Sequence, residues 1–118
     1  MSTLVLYGLR KCSTCIKAMQ WLDEHKVGYD FVDYRESPVD PDVLRDWAEQ
    51  LGGWEKLVNR ASMTWRNLPQ DRKNPGTDAQ WLALIAAYPA LVRRPVAVDA
   101  QGEAGVGFSD KKYTERFR

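Results

Sequence analysis

The sequence predicts an α/β fold in which a four-stranded mixed sheet carries an inserted helical subdomain. Three observations predict it. A β-branched and aromatic segment leads into helical spacing, a second aromatic segment follows that helix, and two short apolar segments flank a turn near the C-terminus. These give a βαβ unit and then a ββα unit. With 118 residues, the chain fits one domain, residues 1–118, with the helical insertion at about residues 40–90.

The N-terminal third predicts the βαβ unit. Thr3–Tyr7 is interpreted as a short buried strand that ends at Gly8, and Cys12–His25 has the spacing of a helix. The apolar stripe of this helix, with Ile16 beside it, consists of Cys15, Met19 and Leu22. Gly28 stops the helix, and Tyr29–Tyr34 predicts a second strand, parallel to the first because a helical crossover joins them.

The insertion is predicted to be helical. Asp40–Pro41 begins a helix that ends at Gly52, and Trp54–Leu68 contains one or two short helical turns. The apolar face of the first helix comprises Val43, Leu44, Trp47 and Leu51. Thr77–Gln80 has the capping-box spacing of a further helix, which Pro89 stops. Four tryptophans are predicted to be core residues rather than ligand platforms: Trp47, Trp54, Trp65 and Trp81.

The C-terminal segment predicts the ββα unit. Val96–Val98 and Ala104–Phe108 flank the turn Asp99–Gly102, whose residue types favour an antiparallel hairpin. Ser109 is the predicted N-cap of a last helix that runs to Phe117.

Composition narrows the classes of function. Seventeen Lys and Arg against 16 Asp and Glu give a formal net charge of +1, so no strong field is available to recruit nucleic acid or an anionic membrane. The N-terminus has neither a basic leader nor a cleavage-site pattern. We therefore expect a cytoplasmic monomer. The two cysteines are too close in sequence to staple a secreted scaffold, and they lack the second pair that a zinc site needs.

The chemistry centres on Cys12. It follows a strand and opens a helix, where unpaired N–H groups and the positive end of the helix dipole stabilise a thiolate. Arg10 and Lys11 add local positive charge. Cys12 is therefore the predicted nucleophile, and Cys15, one turn further along, is either the resolving thiol or a small core residue.

Other residues around this cysteine are candidates for substrate binding. They are Lys11, Ser13, Thr14 and Pro95, and Arg60 in the insertion is a further candidate. Pro95 marks the start of the third strand, with a possible cis bond, and in a thioredoxin-like arrangement this turn faces the cysteine. Arg94 is the predicted catalytic arginine, because its planar fork suits an oxyanion, a carboxylate or the thiolate, and Arg93 is its solvated neighbour. The alternative is that both arginines are solvated residues before a strand. His25, near a helix C-terminus, is interpreted as a capping or surface residue.

Several motifs in this order resemble the arsenate reductase (ArsC) and Spx family over nearly the whole chain. They are the first strand with Cys12–Cys15, the helical insertion, Arg93–Pro95 and Gly107–Asp110. Thr64–Leu68, together with Gly107–Asp110, is similar to the subgroup related to YffB. The resemblance implies a thioredoxin-like fold with an inserted helical subdomain, a nucleophile at Cys12, and Arg94 before a cis Pro95 as a site arginine.

The resemblance also implies glutathione or glutaredoxin as reductant, with a small oxyanion or a disulfide as substrate. Glutathione is then a co-substrate, and no cofactor or metal is expected to be bound. Glutathione-coupled arsenate reductases carry two further arginines, whose positions fall near Asn59 and Gly107 here. Arg60 is a candidate stand-in for one of them and otherwise belongs, with Arg66 and Arg72, to a solvated basic face. Because oxyanions recruit several charged donors, arsenate is not carried over.

A second function follows from the same resemblance. Spx-like proteins use C-x-x-C as a redox switch and bind the RNA polymerase α-subunit, and Gly52–Gly53 falls in a comparable region. Only Ser109–Arg118 remains after the last strand for a regulatory C-terminal part, so the regulator ranks behind the enzyme.

Overall fold

The computed structural model of the protein describes residues 4–117, and Thr3 of the predicted first strand lies outside them. The strands are β1 (Leu4–Gly8), β2 (Tyr29–Asp33), β3 (Val96–Val98) and β4 (Ala104–Val106). The α-helices are α1 (Ser13–Glu24), α2 (Pro41–Leu51), α3 (Trp54–Leu57), α4 (Met63–Arg66), α5 (Asp78–Ala87) and α6 (Asp110–Phe117). Two 3-10 turns, Gln70–Arg72 and Pro89–Leu91, flank α5.

The strands form one sheet in the order β2-β1-β3-β4. β1 is parallel to β2 and antiparallel to β3, and β4 is antiparallel to β3. Helix α1 is the crossover that makes the first pair parallel, as such connections require. The predicted fold class, a mixed four-stranded sheet formed by βαβ and then ββα, is confirmed.

The core beside the sheet joins β1, α1 and α6. Strand β1 alternates buried and half-buried residues, and the buried ones include Leu6, which is fully enclosed. Helix α1 buries Cys15, Ala18, Trp21 and Leu22, whereas Ile16 is exposed. Each leucine buried in this way contributes about 1.5–3 kcal/mol.

Helix α6 is attached to this core through Tyr113. The ring of Tyr113 makes edge-to-face contacts with Trp21, Phe108 and Phe117 at centroid distances of 5.5, 4.8 and 5.0 Å. The indole N–H of Trp21 donates to the carboxylate of Asp110 at 2.9 Å. As predicted, Ser109 accepts a hydrogen bond from the first turn of α6.

Both ends of α1 differ by one residue from the prediction. Cys12 is its N-cap and His25 its C-cap. The Nδ1–H of His25 donates to the carbonyl of Trp21 at 2.8 Å, and the two rings stack 3.9 Å apart. Of the two roles predicted for His25, capping residue or surface residue, the structure shows the capping role.

Strand β4 is shorter than predicted. It was expected to run to Phe108 but ends at Val106, because Gly107 adopts φ of +81° in the left-handed region. The N–H of Gly107 then donates to the carbonyl of Pro95 at 2.9 Å.

The described chain divides into two compact units. Residues 4–37 with 94–117 carry the sheet, and Pro38–Arg93 carries α2 to α5. The prediction of a single domain, 1–118, with an insertion at about 40–90 stays a prediction. None of the helices in the described part of the chain combines the length and apolar character needed to cross a bilayer.

The helical unit confirms most local predictions. Trp81 stacks with Trp54 and with Trp65 at 6.2 and 6.1 Å, and all four predicted core tryptophans are buried. Val43 was wrongly placed on the apolar face of α2: it is 37% exposed, because it precedes the buried Leu44 and so points about 100° away around the helix.

The N-cap predicted for α2 is confirmed, and the capping box predicted for α5 forms only in part. The carboxylate of Asp40 accepts the N–H of Asp42 at 2.9 Å. At α5, Thr77 accepts the N–H of Gln80, but the Gln80 side chain accepts from Gly76 rather than completing the capping box.

Asp33 ties the end of β2 to the turn that follows β1. Its carboxylate, 8% exposed, accepts backbone N–H groups from Arg10, Arg35 and Glu36 at 3.1, 2.9 and 3.3 Å. Burial opposes ionisation, but these hydrogen bonds outweigh it and hold the pKa of Asp33 below its ordinary value. Asp33 is therefore a structural carboxylate.

We predict that Asp33→Ala lowers the free energy of unfolding by roughly 1–3 kcal/mol at neutral pH, because three N–H groups lose the carboxylate as acceptor, although that of Glu36 keeps the backbone carbonyl of residue 33. A depressed carboxyl pKa gives stability that is present above the unfolded-state pKa and is lost as the pH falls through the folded-state pKa. Urea unfolding should therefore show the difference from wild type shrinking in acid.

Asp30→Ala is the control, since Asp30 is an exposed carboxylate on the same strand. A penalty for Asp33→Ala no larger than that of Asp30→Ala would contradict the assigned role.

Candidate active site

Cys12 lies where β1 gives way to α1. After Gly8 the chain turns through residues 9–11, and the N–H of Cys12 donates to the carbonyl of Leu9 at 3.1 Å. As the N-cap of α1, Cys12 has an extended backbone, with φ −79° and ψ 125°. A side chain at this position is next to the first-turn N–H groups and the positive end of the helix dipole. Cys12 therefore begins the helix as the sequence predicts.

The surroundings of Cys12 favour its thiolate. Its side chain is half-buried, and burial alone would raise the pKa. The N–H of Cys15, the guanidinium of Arg94 and the N–H of Thr14 act in the opposite direction and prevail, so the pKa of Cys12 lies below its ordinary value. Since the thiolate is the nucleophilic form, this environment activates the sulfur.

Cys15 has the opposite environment. It is fully buried, and burial, together with the nearby charge of Cys12, raises its pKa to about 11. Its thiol therefore keeps the proton when Cys12 ionises, and it donates that proton in a hydrogen bond to the Cys12 sulfur. The two thiols are adjacent but differ in charge.

Gly8 makes room for the sulfur of Cys15. A Cβ at this position would lie 2.5 Å from the Sγ of Cys15, closer than real Cβ atoms approach. The last residue of β1 must therefore lack a side chain for Cys15 to pack against the strand.

Arg94 approaches Cys12 from the turn before β3. The Arg94–Pro95 peptide bond is cis, and Arg94 is half-buried whereas Arg93 is exposed. The guanidinium of Arg94 hydrogen-bonds the Cys12 sulfur, and its Nη1 donates to the hydroxyl of Tyr34 at 3.3 Å. The predicted arginine is thus the one that contacts the thiol.

A cleft of about 450 Å³ opens beside Cys12. Its charged lining residues are Arg10, Lys11, Asp33, Arg35, Glu36 and Arg94. The side chain of Arg10 pairs with Glu36 at 3.2 Å, and the Asp33 carboxylate is occupied by backbone N–H groups. Lys11, Arg35 and Arg94 therefore leave the cleft with positive character suited to an anionic ligand.

The remaining candidate residues differ in position. Ser13 is exposed and Thr14 half-buried in the first turn of α1, and Pro95 is fully buried. Arg60 belongs to the helical unit, where its guanidinium lies over the ring of Trp65 at 5.4 Å. Within residues 4–117, no three His, Cys, Asp or Glu side chains are grouped as metal ligands would be.

Asn59 and Gly107, the two positions compared with the arginines of arsenate reductases, have local structural roles. The side-chain oxygen of Asn59 accepts the N–H of Ala61 at 3.0 Å. Gly107 has the left-handed φ of +81°, a conformation in which an arginine would be strained.

Asp33 and Tyr34 are among the residues of this site that the sequence did not predict. Both were interpreted only as parts of the second strand. The signal that could have found them is their place at the end of a strand parallel to β1, since the carboxyl ends of parallel strands share one edge of the sheet.

Comparison with known proteins identifies the family. The sequence profile of the ArsC family matches residues 7–116. A solved structure of a YffB protein is 40% identical, with a TM-score of 0.88 over 98% of this chain and 100% of that one. The structure of an arsenate reductase (ArsC) related protein from Brucella melitensis is 36% identical, with a TM-score of 0.76 over 100% of this chain and 96% of that one.

A regulator is also among the relatives. The global transcriptional regulator Spx of Listeria innocua is 27% identical over 108 residues, which cover 91% of this chain and 81% of the regulator. The likenesses to YffB and to the Brucella protein span nearly the full chain, and the family profile matches far more than half of it. The chain therefore belongs to the ArsC family.

Proposed function

We propose that the protein is a thiol-dependent reductase of disulfides, with Cys12 as nucleophile and glutathione or glutaredoxin as the source of electrons. The observation that carries this proposal is the pairing of a half-buried Cys12, whose pKa is lowered, with the guanidinium of Arg94. Family membership supports oxidoreductase chemistry in general terms, and the electron donor is the part that we add.

The chemistry begins at the Cys12 sulfur. Its thiolate attacks one sulfur of a disulfide, forms a mixed disulfide and releases the other half as a thiolate. The Cys15 sulfur then attacks the Cys12 sulfur and breaks its bond to the substrate. The proton of Cys15 goes to the substrate sulfur, which leaves as the second thiol, and a Cys12–Cys15 disulfide remains. Two glutathione molecules reduce this bond and become glutathione disulfide. The substrate gains the two electrons that glutathione loses.

The opposite pKa shifts of the two cysteines suit this order of events. Cys12 is ionised first and is partly accessible, whereas Cys15 is fully buried and protonated. Attack on an external disulfide therefore starts at Cys12. Once Cys12 is in a mixed disulfide, its negative charge is gone, and that obstacle to ionising Cys15 disappears.

A Spx-like regulator is the alternative function, and the match to the Listeria regulator is the observation in its favour. In that case the C-x-x-C pair would act as a redox switch for binding the RNA polymerase α-subunit. Turnover separates the two functions, because a regulator needs no catalytic cycle.

The first test is glutathione-coupled turnover of a small disulfide, followed by NADPH consumption with glutathione reductase. We expect wild-type turnover, complete loss in Cys12→Ser, and either partial turnover or a trapped mixed disulfide in Cys15→Ser. Equal loss in both variants would indicate an obligatory dithiol cycle. Absence of wild-type turnover, with oxidation-dependent binding of the α-subunit, would replace the enzyme with the regulator.

The second test concerns Arg94. Removing its positive charge should raise the pKa of Cys12, so Arg94→Ala should move the pH profile of Cys12 alkylation by iodoacetamide to higher pH. At pH 7 we expect the rate to fall roughly 3- to 10-fold, and the difference from wild type to vanish in alkali, where both are ionised.

Arg93→Ala is the matched control, because it removes the same charge from an exposed neighbouring position. Equal profiles for Arg94→Ala and Arg93→Ala would show that Arg94 has no specific effect on the thiolate.

A further inference from the structure

We infer that Tyr34 is a positioning residue that orients Arg94 toward Cys12 through its phenolic hydroxyl. This inference rests on the proposed role of Cys12 as nucleophile and extends it by one residue. Its basis is a continuous set of contacts in the sheet-bearing unit, from Tyr34 to Arg94 and from Arg94 to the Cys12 sulfur.

Tyr34 is itself firmly placed. It directly follows β2 and is 3% exposed, so its ring is enclosed by protein. Its backbone N–H donates to the carbonyl of Gly8, the last residue of β1, at 3.1 Å. Because its backbone is held at the ends of both parallel strands, the buried side chain of Tyr34 is a fixed anchor for a long, flexible arginine.

Arg94 needs such a reference point. An arginine side chain has several rotatable bonds, and holding it in one geometry costs conformational entropy. The Nη1 of Arg94 donates to the Tyr34 hydroxyl at 3.3 Å while the same guanidinium hydrogen-bonds the Cys12 sulfur. Because the guanidinium is planar, anchoring one of its nitrogens restricts the direction in which the others point.

A phenol is well suited to this task because it anchors Arg94 without cancelling its charge. A carboxylate in the same place would form an ion pair with Arg94, and its negative charge would offset the stabilisation that Arg94 gives to the Cys12 thiolate. Burial raises the pKa of Tyr34 despite the nearby Arg94, so the hydroxyl stays neutral across the working pH range. The positive charge of Arg94 therefore remains available to the Cys12 thiolate.

The test compares pH profiles of Cys12 alkylation by iodoacetamide in wild type, Tyr34→Phe, Arg94→Ala and the double variant. Tyr34→Phe keeps the buried ring and removes only the hydroxyl. We expect its profile to move to higher pH, with a roughly 2- to 5-fold lower rate at pH 7, a smaller change than in Arg94→Ala. The double variant should match Arg94→Ala, because Tyr34 acts through Arg94.

Two results with these four proteins would overturn the inference. One is a Tyr34→Phe profile that coincides with wild type. The other is a double variant whose shift is the sum of the two single shifts, since that would mean that Tyr34 acts on Cys12 independently of Arg94. The other charged groups lining the cleft, Arg10, Lys11, Asp33, Arg35 and Glu36, are unchanged in all four proteins.

Tyr29→Phe is the matched control. It removes a hydroxyl that hydrogen-bonds Asp23 from a tyrosine of β2, and we expect it to leave the Cys12 profile unchanged. Thermal unfolding of each variant shows whether a shift accompanies a general loss of stability. A shift in Tyr29→Phe equal to that in Tyr34→Phe would reduce Tyr34 to a structural residue and overturn the inference.

The alkylation profile tests the positioning role of Tyr34, and the turnover assay tests the proposed reductase, so either proposal can be contradicted without the other. If the profiles behave as expected but glutathione-coupled turnover is absent, the proposed reductase is wrong and the positioning role stands. If turnover depends on Cys12 but Tyr34→Phe has the wild-type profile, the positioning role alone is wrong.

Discussion

Parallel pairing of β1 with β2 is the constraint on which the rest of the site depends. The register that places Gly8 opposite Asp33 brings the ends of both strands to one edge of the sheet. From the end of β1 the chain turns into α1 and presents Cys12. From the end of β2 come the Asp33 carboxylate, which holds the turn before Cys12, and then Tyr34, which receives Arg94. A slip of one residue in this register would turn these side chains to the opposite face.

At this edge of the sheet, two cysteine side chains have different accessibility and different ionisation. Cys12 is partly accessible and is stabilised as an anion by the start of α1 and by Arg94. Cys15, one turn along the same helix, packs against Gly8 and keeps its proton. Because the two sulfurs interact, they titrate as a pair, and ionising the first makes the second harder to ionise. Under the proposed function, this difference gives the pair a defined order of reaction, in which Cys12 reacts before Cys15.

Local patterns were sufficient to predict the strands, α1, α2 and α5, the capping role of His25 and the position of Cys12. These depend on neighbours within a turn or on alternation along one strand. The residue types before β3 indicated Arg94 and a possible cis bond at Pro95, and the family resemblance implied the cis proline and the place of Arg94 in the site. Tyr34 was not, because its partner lies 60 residues away in the sequence and no local signal joins them. The exposure of Val43 and the early end of β4 at Gly107 were missed for a related reason: an apolar residue or a glycine does not by itself define its side of a helix or the end of a strand.

The most direct test of the account is to find which cysteine reacts first. Reduced protein is mixed briefly at neutral pH with a limiting amount of glutathione disulfide, quenched in acid, and mapped by mass spectrometry of its peptides. Cys15→Ser serves to stop the reaction at the first adduct. With Cys12 as the nucleophile, we predict that glutathione is attached to Cys12 in Cys15→Ser and that wild type proceeds to a Cys12–Cys15 disulfide. Attachment to Cys15 in Cys12→Ser at a comparable rate would contradict it, since the buried, protonated thiol would then be as reactive as the one that α1 and Arg94 activate.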